Sequence, residues 1–200
     1  MSVSYDQILE EACERKNSLR AFCTESFFAK TVTLEIGCGH GHFLTGYAQT
    51  YPERTFIGID LCTQRIARSQ KKQAHAMLGN LHFIKAEASE FIEAMPESVF
   101  LDQIFILFPD PWPKKRHHKN RLIQDNFLKL LAHKSLPEAK MYYRTDHELY
   151  FEWTKQKIEE SKLWQLDSSD CLWPFEEESV FQKKMQSYQS LIANRSLILT

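Results

Sequence analysis

No stretch of the chain reaches the roughly 18 consecutive apolar residues that a membrane span requires, so no transmembrane helix is expected. There is no internal repeat, no low-complexity tract and no linker, which leaves repeat and multidomain architectures without support. The acidic start, Asp6, Glu10, Glu11 and Glu14, lacks the apolar core of a signal peptide. Only five cysteines occur: Cys13, Cys23, Cys38, Cys62 and Cys171. An odd count without a CxxC pair argues against a disulfide framework and against a thiolate zinc site. Reduced thiols, no metal, no membrane contact and a cytoplasmic location are the expectation. Six glycines and seven prolines in 200 residues exclude a collagen-like chain. With 43% hydrophobic and 26% charged residues the chain is composed like a globular protein. The net charge of −1 identifies no partner; the distribution of charge is more informative.

What is present is an alternation of short apolar runs with amphipathic stretches, the pattern of a parallel sheet with crossover helices. Strands are expected at Thr31–Ile36, Thr55–Asp60, Leu81–Ala86, Asp102–Phe108, Lys140–Thr145, Trp164–Asp167 and Arg195–Leu199. Helices are expected at Tyr5–Phe22, His42–Thr50, Gln64–Leu78, Ser89–Met95, Arg121–Ala132 and Glu148–Ser161. The run Ile104-Phe105-Ile106-Leu107 suits a strand buried on both faces. The alternation breaks at Cys171, and residues 171–200 are expected to hold a loop, a short helix and a final antiparallel strand. Two hundred residues fit one domain, 1–200, with an N-terminal helix at 5–22.

Leu34-Glu35-Ile36-Gly37-Cys38-Gly39-His40-Gly41 runs from a strand through glycines into a helix. Glycine permits positive φ and close approach of a ligand to backbone. Such a turn lies at the carboxyl end of the first strand, where open α/β sheets bind cofactors. Asp60 closes the second strand and is spaced to meet the two hydroxyls of a ribose. A dinucleotide fingerprint needs a third glycine where His42 stands, and Glu35 is an awkward neighbour for a pyrophosphate. The spacing suits S-adenosylmethionine, with Glu35 serving the methionine end through charge-assisted hydrogen bonds. Glu87 ends the third strand, where a carboxylate can accept from an adenine amine. A bare strand–helix turn and a solvated Glu87 are the plainer alternatives.

Phe108-Pro109-Asp110-Pro111-Trp112-Pro113 is a loop stiffened by three prolines, able to present Asp110 and Trp112 at the cleft. Lys114, Lys115, Arg116, Lys119 and Arg121 follow, with His117 and His118 among them. That concentration of charge is a footprint for phosphates; its plainer reading is a solvated helix start. Arg144-Thr145-Asp146 ends the fifth strand, which puts Asp146 on the edge shared by Glu35, Asp60, Glu87 and Asp110. An N-cap on the following helix is a compatible role for Asp146.

These motifs, in this order and spacing over about Val32 to Gln189, resemble the bacterial tRNA (guanine-N7)-methyltransferases. The resemblance implies a class I S-adenosylmethionine-dependent methyltransferase fold, α/β, with a doubly wound, mostly parallel seven-stranded sheet. It implies cofactor binding at Glu35, Gly37, Gly39, Gly41, Asp60, Glu87 and Asp110. It implies guanosine or RNA contacts at Lys114, Asp146 and along Arg116–Arg121, with residues 171–200 contacting substrate. The family's Glu is replaced by Asp60. In the tail Ser179-Val180-Phe181-Gln182 matches a Thr-x-Tyr/Phe-Glu segment, and Gln189 stands at a glycine. Ser179 keeps a hydroxyl; Gln182 keeps an acceptor oxygen without the charge, which implies weaker hold on a guanine edge. The implied reaction is methylation of a guanosine in the tRNA variable loop, with Asp110 and Asp146 catalytic and tRNA the partner. The pattern carries no statement on monomer or homodimer. Three rivals remain open: a tRNA-binding protein of this fold with a weakened site, a small-molecule methyltransferase, and a nicotinamide-dependent oxidoreductase, the last disfavoured by His42.

Overall fold

The computed structural model describes residues 5–26, 30–168, 172–177 and 187–197. Helices α1 (Tyr5–Ser26), α2 (His42–Thr50), α3 (Thr63–His75), α4 (Ala88–Ala94), α5 (Asp125–Lys134) and α6 (Glu148–Ser161) alternate with strands. These are β1 (Thr31–Ile36), β2 (Phe56–Asp60), β3 (Leu81–Lys85), β4 (Phe100–Leu107), β5 (Ser135–Thr145), β6 (Trp164–Leu166) and β7 (Gln189–Arg195). A 3-10 helix, Lys115–Asn120, follows β4. The seven strands form one sheet in the order β3-β2-β1-β4-β5-β7-β6. β1 to β5 pair parallel, and β7 runs antiparallel to both β5 and β6.

The parallel strands are buried on both faces, as their near-continuous apolar runs require. One face packs Leu19 and Cys23 of α1, together with α4, α5 and α6, over Leu34, Ile104, Met141 and Tyr143. The other packs Phe43, Leu44 and Tyr47 of α2 and Ile66 of α3 over Phe56, Phe83, Phe105 and Tyr142. Trp173 and Phe175 complete that second face. Phe175 stacks on Tyr47 at 5.0 Å, and Trp173 meets Tyr142 at 5.4 Å. Aromatic pairs of this kind add about 0.5–1.5 kcal/mol each beyond the area they bury.

Two expected elements move. The last strand is Gln189–Arg195 rather than Arg195–Leu199, and Leu197 is exposed. Residues 198 and 199 of the expected strand lie outside the described residues. The observed strand starts exposed at Gln189 and Ser190 and is then buried on both faces, with Ile192 in the Phe105–Tyr142 layer and Ala193 in the opposite one. Helix α5 begins at Asp125, not Arg121, because Arg121 is held in extended backbone at φ −61° and ψ 137°.

Candidate active site

The order 3-2-1-4 reverses at β1 and β4, which opens a crevice at their carboxyl ends. A cavity of about 440 Å³ lies there, lined by Gly37, Asp60, Arg65, Glu87, Pro109, Asp110 and Trp112 among others. Four of the residues expected at a cofactor, Gly37, Asp60, Glu87 and Asp110, therefore meet in one cleft.

The glycine turn needs its glycines. Gly37, Gly39 and Gly41 have φ of 78°, 55° and 68°, which only glycine adopts without strain. At Gly41 a side chain would also collide with its neighbours: an added Cβ would stand 2.4 Å from Phe83 Cζ. Gly37 and Cys38 both donate to Ile59 O, at 2.8 and 3.0 Å, which ties the turn to β2. Asp60 completes the tie: Oδ2 accepts from Gly39 N at 3.0 Å and Oδ1 from Cys62 N at 2.8 Å. Arg65 stands 3.6 Å from the same carboxylate. Asp60 is thus a strut of the turn as well as a wall of the cleft. Each of its oxygens retains a lone pair for a ribose hydroxyl.

Glu35 is buried beneath the turn, and its Oε2 has no hydrogen-bond partner. Burial, reinforced by the nearby Asp60 charge, pushes its carboxyl up to about 8. A buried acceptor left unpaired costs about 1–3 kcal/mol. An ammonium group brought into the cleft would supply the missing donor and charge. No side chain caps the start of α2 at Gly41. Glu87 caps α4, its side chain accepting from Glu90 N at 2.9 Å, and the residue also lines the cleft.

The loop after β4 is held in an uncommon geometry. Phe108 and Trp112 have φ of 52° and 44°. Phe108 N donates to Arg144 O at 2.8 Å, which fastens the loop to β5. Asp110 is exposed at the cleft. Arg121 corrects the expectation of an RNA contact: it is only 2% exposed. Its Nε donates to Pro111 O at 2.9 Å, and its guanidinium lies 4.9 and 5.1 Å from the ring centroids of Tyr150 and Trp153. Its work is to lock the proline loop onto α6. His118 is partly buried edge-on to Trp153, and His117 lies edge-on to Trp112. Lys114, Lys115, Arg116 and Lys119 are exposed. They sit at the 3-10 helix rather than at the start of a regular one.

Asp146 lies just past β5, exposed and outside the lining of the 440 Å³ cavity. It does not cap α6. That role falls to His147, whose Nδ1 accepts from Tyr150 N at 3.2 Å. Ser179 and Gln182 lie outside the described residues.

Residue patterns gave no notice of Arg144. It is 4% exposed, donates to Ser190 Oγ at 3.0 Å, and forks onto Glu176 at 3.3 and 2.9 Å. Trp173 and Tyr188 flank the guanidinium at 3.9 and 4.7 Å. Its partners are 29 to 46 residues away in sequence, beyond any local signal. The only hint was a charged residue directly after the apolar run Met141-Tyr142-Tyr143.

This strand order, with a glycine turn after β1, an acid after β2 and a seventh strand inserted antiparallel, is the class I S-adenosylmethionine-dependent methyltransferase fold. Solved structures agree. Precorrin-6y C5,15-methyltransferase from Geobacter metallireducens aligns with a TM-score of 0.56 at 11% identity, covering 90% of this chain and 87% of its own. The aminoglycoside resistance methyltransferase NpmB1 aligns with a TM-score of 0.56 at 14% identity, covering 98% and 95%. Residues 29–192 match the family described as "Putative methyltransferase", and the chain belongs to it. A tRNA (guanine-N(7)-)-methyltransferase of Methylobacillus flagellatus is 40% identical over 130 residues, 65% of this chain and 55% of that protein. The one of Caulobacter vibrioides is 36% identical over 130 residues, 65% of this chain and 57% of its own. The chain thus spans little more than half the length of the curated relatives it matches.

Proposed function

We propose that this protein transfers a methyl group from S-adenosylmethionine to N7 of a guanosine in tRNA, in the variable loop as the family resemblance implies. The observation that carries the reading is the cleft itself. Gly37, Asp60, Glu87 and Asp110 line one cavity, and the exposed cations Lys114, Lys115, Arg116 and Lys119 follow directly on its Asp110 wall. The named activity of the two relatives supports the same substrate. We read residues 1–200 as one methyltransferase domain, working where tRNA is found, in the cytoplasm.

The residues fit the cofactor. The unpaired Glu35 Oε2 suits its ammonium, the two Asp60 oxygens suit the ribose, and Glu87 suits the adenine amine. When bound, S-adenosylmethionine supplies an electrophilic methyl on sulfur. Guanine N7 carries an in-plane lone pair and no proton, so the chain need not provide a general base. Its task is to hold the base in line, which is worth several kcal/mol of barrier. The Arg121 and Arg144 anchors make the Asp110 loop rigid enough for that task. Asp146 stands ready to stabilise the positive charge that develops on the base. Asp110 arranges the donor side of the cleft.

Mass spectrometry of tRNA nucleosides after incubation with isotopically labelled cofactor tests the proposal. Label in 7-methylguanosine is expected. Its absence, with a tRNA that a known enzyme of this activity can methylate, would sink the catalytic reading. Such a result combined with intact tRNA binding would favour the non-catalytic tRNA-binding alternative that Gln182 raises.

A further inference from the structure

Helix α3 carries Arg65, Arg68, Lys71, Lys72 and His75 and not one Asp or Glu. The chain as a whole has 25 Lys and Arg against 26 Asp and Glu, so this segment departs from the average. At about 100° per residue these five side chains fall within roughly a third of the helix circumference. The core-facing residues Ile66 and Ser69 lie on the other side. From Arg65 to His75 the stripe is about 15 Å long.

Its two ends touch known features. Arg65 lines the 440 Å³ cleft and approaches Asp60, and Arg68 Nη1 lies 3.3 Å from His40 Nε2 in the glycine turn. Lys71, Lys72 and His75 border a second cavity, about 760 Å³, between α2 and α3. Among the described residues Glu177 is the one carboxylate lining that cavity. The Lys72 Nζ is buried without a hydrogen-bond partner; desolvation lowers its affinity for the proton, and the Glu177 charge partly offsets that. The exposed cations of the stripe are therefore Arg65, Arg68, Lys71 and His75. A row of like charges at this spacing is self-repelling, and a helix tolerates it only at a cost of a few tenths of a kcal/mol per pair. A line of phosphates would relieve it.

We infer that the α3 stripe is a second phosphate-contacting surface, which holds the tRNA backbone on the side of the cleft opposite the Lys114–Lys119 run. The inference rests on tRNA being the substrate and names the part of the protein that grips it. The proline loop and 3-10 helix form one bank of the cleft and the start of α3 forms the other, so an RNA strand crossing the cleft meets cations at both ends of its path. The partner is RNA rather than a small anion because the stripe is about 15 Å long, more than a single phosphate can cover.

The test is the salt dependence of tRNA binding by a double variant of the exposed cations, Arg68→Gln and Lys71→Gln, beside a charge-retaining one, Arg68→Lys and Lys71→Arg. The probe is one transcribed tRNA, titrated at several KCl concentrations between about 50 and 200 mM. The neutral variant should bind about tenfold more weakly, with a log–log slope shallower by about 1.5. The charge-retaining variant should behave like the wild type, and both should bind S-adenosylmethionine normally by calorimetry. A neutral variant equal to wild type in affinity and slope overturns the inference and makes the stripe a solvated face. Wild-type protein that binds tRNA without methylating it would defeat the catalytic reading alone, since the slopes still decide the stripe. Wild-type protein without tRNA affinity at any of these salts would defeat both.

Discussion

Asp60 Oδ2 accepts a hydrogen bond from the Gly39 amide at 3.0 Å, so the acid that ends β2 holds the glycine turn that ends β1. The turn and the acid proposed to meet the ribose therefore stand or fall together. Asp60→Asn replaces one acceptor oxygen with a donor that must face either the Gly39 or the Cys62 amide. One buried donor is then left unpaired, at about 1–3 kcal/mol. Urea unfolding should show a loss of that size. Calorimetry should show cofactor affinity reduced about tenfold or more. An Asp60→Asn protein with wild-type stability would mean that the strut carries no energy.

Gly41 and Gly79 make a matched pair. At Gly41 the backbone has φ 68° and a Cβ would lie 2.4 Å from Phe83 Cζ and 2.7 Å from Ser69 Cβ. At Gly79 a Cβ meets nothing within 4 Å. Gly41→Ala combines positive-φ strain with overpacking and should cost about 2–4 kcal/mol. Gly79→Ala should be neutral or stabilising by up to about 1 kcal/mol. Thermal melts of the two variants check the ordering, and equal midpoints would contradict it.

Glu35 gives the ligand-free protein a pH dependence of unusual sign. Its carboxyl ionises at about 8 when folded and near the ordinary 4.5 when unfolded. Between those values the folded state holds a proton that the unfolded state releases, so stability falls as pH rises from about 4.5 to 8 and levels off above. The slope cannot exceed about 1.4 kcal/mol per pH unit for one proton. A cationic ligand favours the ionised form, so cofactor affinity should rise with pH up to about 8. Glu35→Gln keeps the shape, removes the proton and should flatten both profiles. Parallel wild-type and variant melting curves across pH 5–9, the range bracketing that titration, would refute the assignment.

The legible parts of this molecule were those whose cause is local. The bounds of β1, α2 and α6 were read correctly because glycines or strongly patterned apolar residues mark them. The glycines of the turn were legible because three positive-φ positions in five residues, at 78°, 55° and 68°, favour glycine locally. The strand order was accessible only through the resemblance, since alternation alone does not order a sheet. Arg121 was misread because a basic residue in a basic run gives no sign of the Tyr150 and Trp153 rings that enclose it from α6. Asp146 was credited with a cap that belongs to His147, one residue on. Arg144 was missed outright, because its cage is built from residues 173, 176, 188 and 190. Long-range cages of this kind leave no periodicity to detect.

That cage predicts a specific hierarchy of substitutions. Arg144→Ala removes a bidentate pair and two aromatic contacts, for an expected loss of about 2–4 kcal/mol. Arg144→Lys retains the charge but cannot fork onto Glu176 or stack flat on Trp173, so it should recover less than half of that. Glu176→Gln should cost little, because the Glu176 side chain is 56% exposed and its carboxylate is already solvated. Denaturant midpoints for the three variants check the order, and an equal loss for Glu176→Gln and Arg144→Ala would place the energy in the ion pair instead.

Asp146 and Asp110 should separate by assay. Asp146 is exposed, makes no part of the cofactor cavity lining, and stands at the end of β5 beside the anchored Asp110 loop. Under the proposed function a carboxylate there would act on charge that appears on the base during transfer. Asp146→Ala should therefore lower the methylation rate about 100-fold or more while leaving cofactor affinity near the wild-type value. Asp110 lines the cofactor cavity, so Asp110→Ala should weaken cofactor binding and slow transfer together. Rates measured at saturating cofactor, paired with calorimetric affinities, distinguish the two residues. An Asp146→Ala enzyme with full activity would remove Asp146 from the chemistry. One that lost cofactor binding would move it to the donor side of the cleft.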